Sequence, residues 1–145
     1  MADFETTIRA VVVGVDGMVT ERGLHRPQGG TVLAGLQAAV GGDVACVAVT
    51  DSVDLWVCED GLGRFAPNPV AVLAALYLRG VGGLMSYWGT AVFTGGADDD
   101  GDTLDAPTWL HAQVRQVAVD TPPASGVGID VTLACLAMAQ SWGVR

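Results

Sequence analysis

The chain has 145 residues, half of them apolar, and its formal net charge at pH 7 is −9, with arginine at all seven Lys/Arg positions. This apolar content excludes a disordered chain, and the length suits one independently folding domain. A surface of this sign repels phosphate, which argues against direct binding of nucleic acids or anionic membranes.

The sequence predicts a cytoplasmic protein and not a secreted or membrane-embedded one. The stretch MADFETTIR carries acids and no apolar core, so it is not typical of a signal peptide. No apolar run approaches the ~20 residues that a membrane span needs. Cys46, Cys58 and Cys135 are odd in number, lack CxxC spacing and lie in apolar runs. They are therefore predicted to be reduced and buried like small hydrophobic residues.

The first strand is predicted at Ile8 to Val15, a β-branched run with the sequence IRAVVVGV. Such a run favours an interior strand. Asp16-Gly17 predicts a turn, after which Met18 to Glu21 returns as a short edge arm. The polar stretch from Gly23 to Gly30, with a proline and paired glycines, is then predicted as a loop.

A helix is predicted from Thr31, where TVLAGLQAAV places its apolar residues on one helical side. Gly41-Gly42 supplies the glycine that commonly ends a helix. Two strands follow, Val44 to Thr50 and Leu55 to Glu59. Because only a short turn, DSVD, joins them, they are predicted to pair antiparallel.

The segment after these strands holds the best-marked helix start of the chain. Asp60-Gly61 predicts a tight turn, and Leu62 to Phe65 is expected to pair back as a short second arm. Asn68-Pro69 is typical of an N-cap followed by proline at the first helical position, where the missing N–H is no loss. Apolar residues at helical spacing continue the helix to Gly80.

The C-terminal half is predicted to contain a strand, Thr90 to Thr94, and two more helices. The first runs through TWLHAQVRQV, with Thr103 or Asp105 as its cap and Trp109 on its apolar side. The second is the apolar segment IDVTLACLAMAQSW at the end of the chain.

Thr121-Pro122-Pro123 is the best internal break in the chain. It divides the sequence into an α+β domain over residues 1–120 and a C-terminal helical extension over residues 121–145. The extension is predicted either to pack on the domain or to mediate oligomerisation.

An acidic loop, ADDDGD at residues 97–102, concentrates the negative charge of the chain. Alternating carboxylates suit hard cations, but Gly101 interrupts the EF-hand pattern and no Glu stands at its twelfth position. The loop is therefore interpreted as a solvated surface that complements an arginine-rich partner. A tryptophan exposed on the sheet would add a binding hot spot. The predicted partner-binding residues are Asp98, Asp99, Asp100, Asp102 and Trp88.

The sequence holds no recognisable catalytic or cofactor motif. It lacks a Gly-x-Ser-x-Gly elbow, an HExxH pair and a Walker loop, so no cofactor, metal or catalytic residue is predicted. His25 and His111 stand in unrelated local settings, whereas triad chemistry needs a carboxylate and a nucleophile beside the histidine. Glu59-Asp60, at the tip of a hairpin, is poorly sheltered for raising a pKa.

The succession LQAAVGGDVACVAV, DLWVCEDG, NPVA and WGTAVFTGGADDDG resembles domain of unknown function family 3846. The resemblance covers about residues 6 to 118 and rests most on Gly41-Gly42, Glu59-Asp60-Gly61 and Asn68 with Ala71. It implies a small intracellular protein of phages, plasmids or bacterial genomes. The family has no assigned reaction, so the resemblance implies no catalytic residues.

Together these patterns predict an α+β fold, with a mainly antiparallel sheet of about four to six strands, two or three helices on one face and an added C-terminal helix. The predicted function is a non-enzymatic acidic binding protein, an accessory protein of phage or mobile-element origin. It would bind a host defence protein with a basic surface or sequester a small ligand. One alternative is a small metal-dependent hydrolase or nucleotide-processing enzyme that uses Glu59, Asp60 or the acidic loop. The other is a structural subunit whose terminal helix builds a homo-oligomer.

Overall fold

The structure, a computed structural model, describes residues 6–79 and 86–121. This part of the chain forms one antiparallel sheet with three helices, which confirms the predicted α+β fold. The elements in chain order are β1 (Thr6–Val13), β2 (Val19–Arg26), α1 (Leu33–Val40), β3 (Val44–Thr50), β4 (Val53–Cys58), α2 (Pro69–Arg79), β5 (Ala91–Thr94) and α3 (Leu110–Asp120). None of these helices is long and apolar enough to cross a membrane. The predicted C-terminal helix lies outside the described residues.

The five-stranded sheet consists of two hairpins joined through β5. Its strand order is β2-β1-β5-β4-β3, and every neighbouring pair is antiparallel. The predicted pairing of β3 with β4 is confirmed, with Val44 opposite Cys58. β1, β4 and β5 are the inner strands, and on them Val11, Leu55 and Phe93 are fully buried.

β2 is longer than predicted. The expected short arm extends to Arg26, so the predicted loop over residues 23–30 is wrong for its first four residues. Pairing with all eight residues of β1 outweighs the low strand propensity of Gly23. A Cβ atom on Gly23 would overlap the methyl group of Thr7, so a larger residue here would require the Thr7 side chain to move.

Side chains alternate between the two faces of the sheet, and each face has its own apolar core. α2 and α3 cover one face, where the buried cluster includes Val11, Leu55 and Phe93. The two helices on this face satisfy the predicted arrangement. α1 lies on the opposite face, where Leu36 and Val40 pack against the sheet. Because α1 has only eight residues, it leaves part of this face uncovered.

The end of α1 and the start of α2 follow the predicted signals, whereas α1 begins at Leu33, two residues later than predicted. Gly41 adopts the left-handed conformation, with φ 83°, and its N–H donates to the Gln37 carbonyl where α1 ends. Asn68 caps α2, since its Oδ1 accepts a hydrogen bond from the Ala71 N–H at 3.1 Å. Pro69 is the first helical residue, at the position that tolerates a missing N–H.

The segment over residues 62–65 forms a turn and not the predicted short strand. The N–H groups of Arg64 and Phe65 both donate to the Gly61 carbonyl, at 3.0 and 2.9 Å. These two bonds curl the backbone into a helical-type turn, so it does not extend along β4.

α3 begins later than predicted. The expected cap at Thr103 or Asp105 is wrong, because the Asp105 carboxylate accepts a hydrogen bond from the Arg9 N–H of β1 at 2.7 Å. The helix begins at Leu110 instead. Trp109, predicted on the apolar side of the helix, precedes it and is 49% exposed.

Candidate functional site

The acidic loop is the tip of a hairpin-like arm that follows β5. We call residues 95–104 the acidic arm. The Gly95 N–H donates to the Leu104 carbonyl at 3.0 Å, and the Leu104 N–H donates to the Gly96 carbonyl at 2.9 Å. One isolated β-bridge joins the two sides nearer the tip. The arm is therefore a defined extension of the sheet.

Asp98 orders the tip of the acidic arm. Its Oδ1 accepts hydrogen bonds from the N–H groups of Asp100 at 2.9 Å and Asp102 at 3.0 Å. Its own N–H donates to the Asp102 carbonyl, and its carbonyl accepts from the Gly101 N–H. Gly101 has φ 84°, a conformation that side chains disfavour. Because Asp98 is engaged inside the loop, the exposed carboxylates of Asp99 and Asp100 are the charges left for another molecule.

The base of the acidic arm is fastened to the sheet. Arg26, the last residue of β2, forms an ion pair with Asp102 at 3.6 Å. Immediately after the arm, Arg9 donates its N–H to Asp105 at 2.7 Å and its Nη2 to the Ala106 carbonyl at 2.8 Å. The Ala106 N–H donates back to the Arg9 carbonyl at 2.8 Å. These bonds hold the C-terminal side of the arm, and the residues that follow it, to the β1–β2 hairpin.

Two large apolar side chains are exposed along the chain that leaves the arm. Leu104, the last residue of the arm, is 46% exposed, and Trp109 is 49% exposed. Tryptophan is enriched among residues that dominate binding energy. Helical periodicity assigned Trp109 to the core. Pro107 is the signal for a later helix start, since proline keeps the preceding residue out of the helical conformation.

The structure separates Trp88 from the other predicted partner-binding residues. Trp88 precedes β5 and the acidic arm follows it, so they lie at opposite ends of a strand roughly 13 Å long. Trp88 is half-buried and bridges to Pro67. Its carbonyl lies 2.8 Å from the position that a Cβ on Gly61 would take. Trp88 therefore belongs to the packing at the end of the sheet away from the arm.

A thiol, a carboxylate and a guanidinium meet at this far end. Cys58 Sγ donates to Asp60 Oδ1 at 3.1 Å, and Arg64 Nη1 donates to the same oxygen at 2.8 Å. The hydrogen bonds from Cys58 and Arg64 lower the pKa of Asp60, and the hydrogen bond to Asp60 raises the pKa of Cys58. Arg64 also donates to the Gly41 carbonyl at 3.4 Å and lies 4.8 Å from the centre of the Phe65 ring. A thiol held protonated in this way is unsuited to nucleophilic attack.

Asn68, at the same end, is fully buried and uses all its polar groups. Its Nδ2 donates to the carbonyls of Val13 at 3.0 Å and Gly89 at 2.9 Å, while Oδ1 caps α2. Its backbone N–H donates to the Tyr87 carbonyl at 2.9 Å. Asn68 thus connects β1, α2 and the segment before β5, which gives it a structural role.

Cys46 is exposed on β3, so the prediction that it is buried is wrong, whereas Cys58 is buried as predicted. β3 is an outer strand, and its apolar composition did not show that position. Cys135 lies outside the described residues. Partial burial raises the pKa of the Cys46 thiol to about 11, and the negative charge of Asp54 adds to the rise. Burial also raises the pKa of Asp54. A thiol with this pKa is a poor nucleophile at neutral pH.

An open groove of about 270 Å³ lies beside α1 on the part of the sheet that this helix leaves uncovered. The polar residues among its lining are Asp16, Thr20, Arg22 and Thr90. The Asp16 carboxylate already accepts a hydrogen bond from the Met18 N–H at 3.0 Å. The volume is just below the roughly 300–1,000 Å³ of typical small-molecule sites.

The two histidines lie on separate elements, His25 on β2 and His111 in the first turn of α3. Glu59 is exposed, as is Asp60. Within residues 6–79 and 86–121, no three His, Cys, Asp or Glu side chains are grouped as metal ligands. The carboxylates of the acidic arm therefore do not form such a group.

Comparison with known protein families identifies the family of this chain. The family model described as Domain of unknown function (DUF3846) matches residues 8–117, and the chain belongs to this family. The match runs from β1 into α3 and confirms the resemblance seen in the sequence. No curated protein and no solved structure matches the chain.

Proposed function

We propose that this DUF3846 protein is a non-enzymatic binding protein that recognises a basic protein partner with its acidic arm. The observation that carries this proposal is the ordered tip. Asp98 holds the loop with its own carboxylate, while Asp99 and Asp100 remain exposed. A loop ordered before binding loses little conformational entropy on binding, so more of the interaction energy contributes to affinity.

The charge distribution around the acidic arm supports a cationic partner. Arg26 offsets part of the charge of Asp102. In the part of the chain that the structure describes, no ion pair reaches Asp99 or Asp100. The net charge of −9 would draw a basic protein towards this surface, and complementary charge favours rapid and selective association.

The exposed apolar side chains near the arm supply the second element of a protein-binding surface. Leu104 and Trp109 are each nearly half exposed. Charged side chains alone give little affinity in water, whereas a tryptophan buried at the centre of an interface contributes strongly. We therefore assign Trp109, in place of the half-buried Trp88, as the aromatic contact of the proposed surface.

The chemistry of the described thiols favours binding over thiol catalysis. Cys46 and Cys58 both have raised pKa values and are protonated at neutral pH. The family context suggests the kind of partner. We propose that the chain is an accessory protein of a phage or mobile element and that its partner is a basic host defence protein.

The proposal is tested with a fluorescent arginine-rich peptide as the probe. Asp99→Asn combined with Asp100→Asn should weaken binding about tenfold, because two charge pairs of ~0.7 kcal/mol each are lost. The matched control, Asp51→Asn with Glu59→Gln, removes the same charge from exposed positions elsewhere and should change affinity less than about twofold. Trp109→Ala should weaken binding of a peptide that also carries leucine. Equal losses in both charge variants would show that only net charge matters and would refute the assignment of the arm.

The groove beside α1 favours a second candidate function, the sequestration of a small anionic ligand. Arg22 supplies a cation there, and Thr20 and Thr90 are the uncharged polar residues of its lining. Native mass spectrometry of the purified protein should then show a co-purifying small molecule that Arg22→Ala removes. Spectra in which the wild type and Arg22→Ala each show only the mass of the bare polypeptide, without any adduct, would eliminate this function.

A further inference from the structure

The outer edge of β3 suits contact with another strand. β3 ends the sheet, and among residues 6–79 and 86–121 only β4 pairs with it. Its sequence, VACVAVT, contains no charged residue, proline or glycine. The opposite outer strand, β2, reads VTERGLHR and carries four ionisable side chains. Charged residues on an edge strand prevent association with other strands, so β2 is protected and β3 is not.

The hydrogen-bond pattern identifies the residues that face this edge. The Glu59 N–H donates to the Asp43 carbonyl at 2.7 Å, which makes these opposite residues a hydrogen-bonded pair. Such pairs alternate with non-hydrogen-bonded pairs along an antiparallel ladder. Every second residue of β3 therefore directs its backbone groups away from β4. The residues whose N–H and C=O groups face the outer edge are Val44, Cys46 and Ala48.

We propose that β3 pairs antiparallel with β3 of a second copy of this chain, about a two-fold axis that passes by Cys46. Val44 then faces Ala48 of the partner subunit, and Cys46 faces Cys46 of the partner subunit. Three pairs of outward-facing residues exchange about six backbone hydrogen bonds in this register. A register shifted by two residues loses a pair at one end, because the regular ladder of β3 is interrupted between Ala48 and Thr50.

Charge and packing favour the same register. Asp43 faces Val49 of the partner subunit, and Asp51 lies beyond the paired segment, so no like charges are opposed. Ala45 and Val47, which pack only partly buried against the core under α2, then become cross-strand neighbours of their counterparts and extend that core across the two-fold axis. Because a single strand pair is a small interface, the dimer should dissociate on dilution.

Oxidative cross-linking tests the register directly, with Cys135→Ser in every protein so that Cys46 is the exposed thiol of the described chain. Opposite residues of a hydrogen-bonded pair have Cα atoms ~5.5 Å apart, within the range that a disulfide spans. Under copper phenanthroline, two Cys46 thiols should form one disulfide, releasing two protons and passing two electrons to the oxidant. Peptide mass spectrometry should find the Cys46–Cys46 linkage.

The matched control moves the thiol by two residues along β3. Cys46→Ser with Ala48→Cys keeps an exposed thiol on the same sheet face. In the proposed register these two thiols lie on residues roughly 13 Å apart, so the covalent dimer should fall at least tenfold. Equal cross-linking of both proteins would indicate random collision and overturn the register.

Sedimentation velocity of the full chain tests the dimer without oxidation. The wild type and Cys46→Ser should show a dimer that increases with concentration. Cys46→Lys sets two like charges opposite each other and should shift the protein to monomer. Thr20→Lys makes the same charge change on exposed β2 and should leave the dimer intact. A monomeric wild type at every concentration, or a dimer that survives Cys46→Lys, would overturn the proposal.

Discussion

Replacement of Asn68 tests whether this residue only caps a helix or also holds the sheet to α2. Asn68→Ala removes the acceptor for the Ala71 N–H and both donors to the carbonyls of Val13 and Gly89. The site is fully buried, so water cannot replace these bonds. The variant therefore removes three buried hydrogen bonds to backbone groups.

The expected loss of stability follows from those three bonds. Each buried hydrogen bond lost costs about 1–1.3 kcal/mol, so the three together give roughly 3–4 kcal/mol. A domain of this kind has a free energy of unfolding of about 5–15 kcal/mol. With a urea m-value of ~2 kcal/mol per molar, the unfolding midpoint should fall by roughly 1.5–2 M. Thr31→Ala, which removes one exposed bond to the Leu33 N–H, should cost less than about 1 kcal/mol.

Asn68→Asp separates the two roles in the same urea assay. Aspartate is as good an N-cap as asparagine, so a pure capping role predicts almost no change. The structure instead predicts a loss at least as large as for alanine, because the carboxylate faces the Val13 and Gly89 carbonyls in a buried site. Such a carboxyl has a raised pKa in the folded state. The variant should therefore recover stability as pH falls through that pKa, and wild-type stability of Asn68→Asp at pH 7 would refute the reasoning.

Further predictions concern three other parts of the fold. Gly89→Ala should cost about 1–3 kcal/mol more in urea unfolding than Gly17→Ala, because both have positive φ but only at Gly89 would a Cβ lie 2.8 Å from the Phe65 ring. Asp98→Ala should speed amide exchange of the tip of the acidic arm, measured by NMR, with a global change below about 1 kcal/mol; unchanged exchange would contradict the role of its carboxylate. At pH 8, Cys46 should react with iodoacetamide at least about 50-fold more slowly than a thiol of pKa ~8.5, and Asp54→Asn should speed it. Because folding raises the Cys46 pKa from 9.0 to about 11, its contribution to stability should be present below pH 9 and lost as pH rises towards 11, and a flat stability profile there would contradict it.

Local signals predicted those parts of the fold that depend on nearby residues. Gly41 ends α1, Asn68-Pro69 begins α2, and the β3–β4 hairpin follows from two apolar runs with a short turn between them. At the two helix ends the bonded groups lie within four residues of one another, and in the hairpin only two residues separate the paired strands. A short sequence pattern is then sufficient to predict the structure, because it contains both interacting segments.

Contacts between distant segments account for what the sequence did not predict. The Arg9 N–H donates a hydrogen bond to Asp105, which lies 96 residues away, so this carboxylate does not cap a helix. Pairing with β1 converts the start of a predicted loop into β2, and β5 inserts between β1 and β4. For the proposed site, composition predicted the acidic loop but not the use of the Asp98 carboxylate inside it. The residues around one partner of such a contact do not indicate which distant residue is the other partner.

The two ends of the sheet are stabilised by different sets of contacts. Most of the residues on which the family resemblance rests are packed away from the acidic arm, where a Cβ on Gly42 would lie 3.1 Å from Cys58 Sγ and Asn68 holds β1 to α2. The tip of the arm is held by the bonds of Asp98 within its own loop and by the ion pair of Asp102 with Arg26. Substitutions at well-separated sites without shared partners act additively on stability. Replacing Asp99 and Asp100 should therefore leave urea unfolding unchanged within about 0.5 kcal/mol while it weakens peptide binding, and a loss of stability equal to the loss of binding would mean that the arm supports the fold instead of a partner.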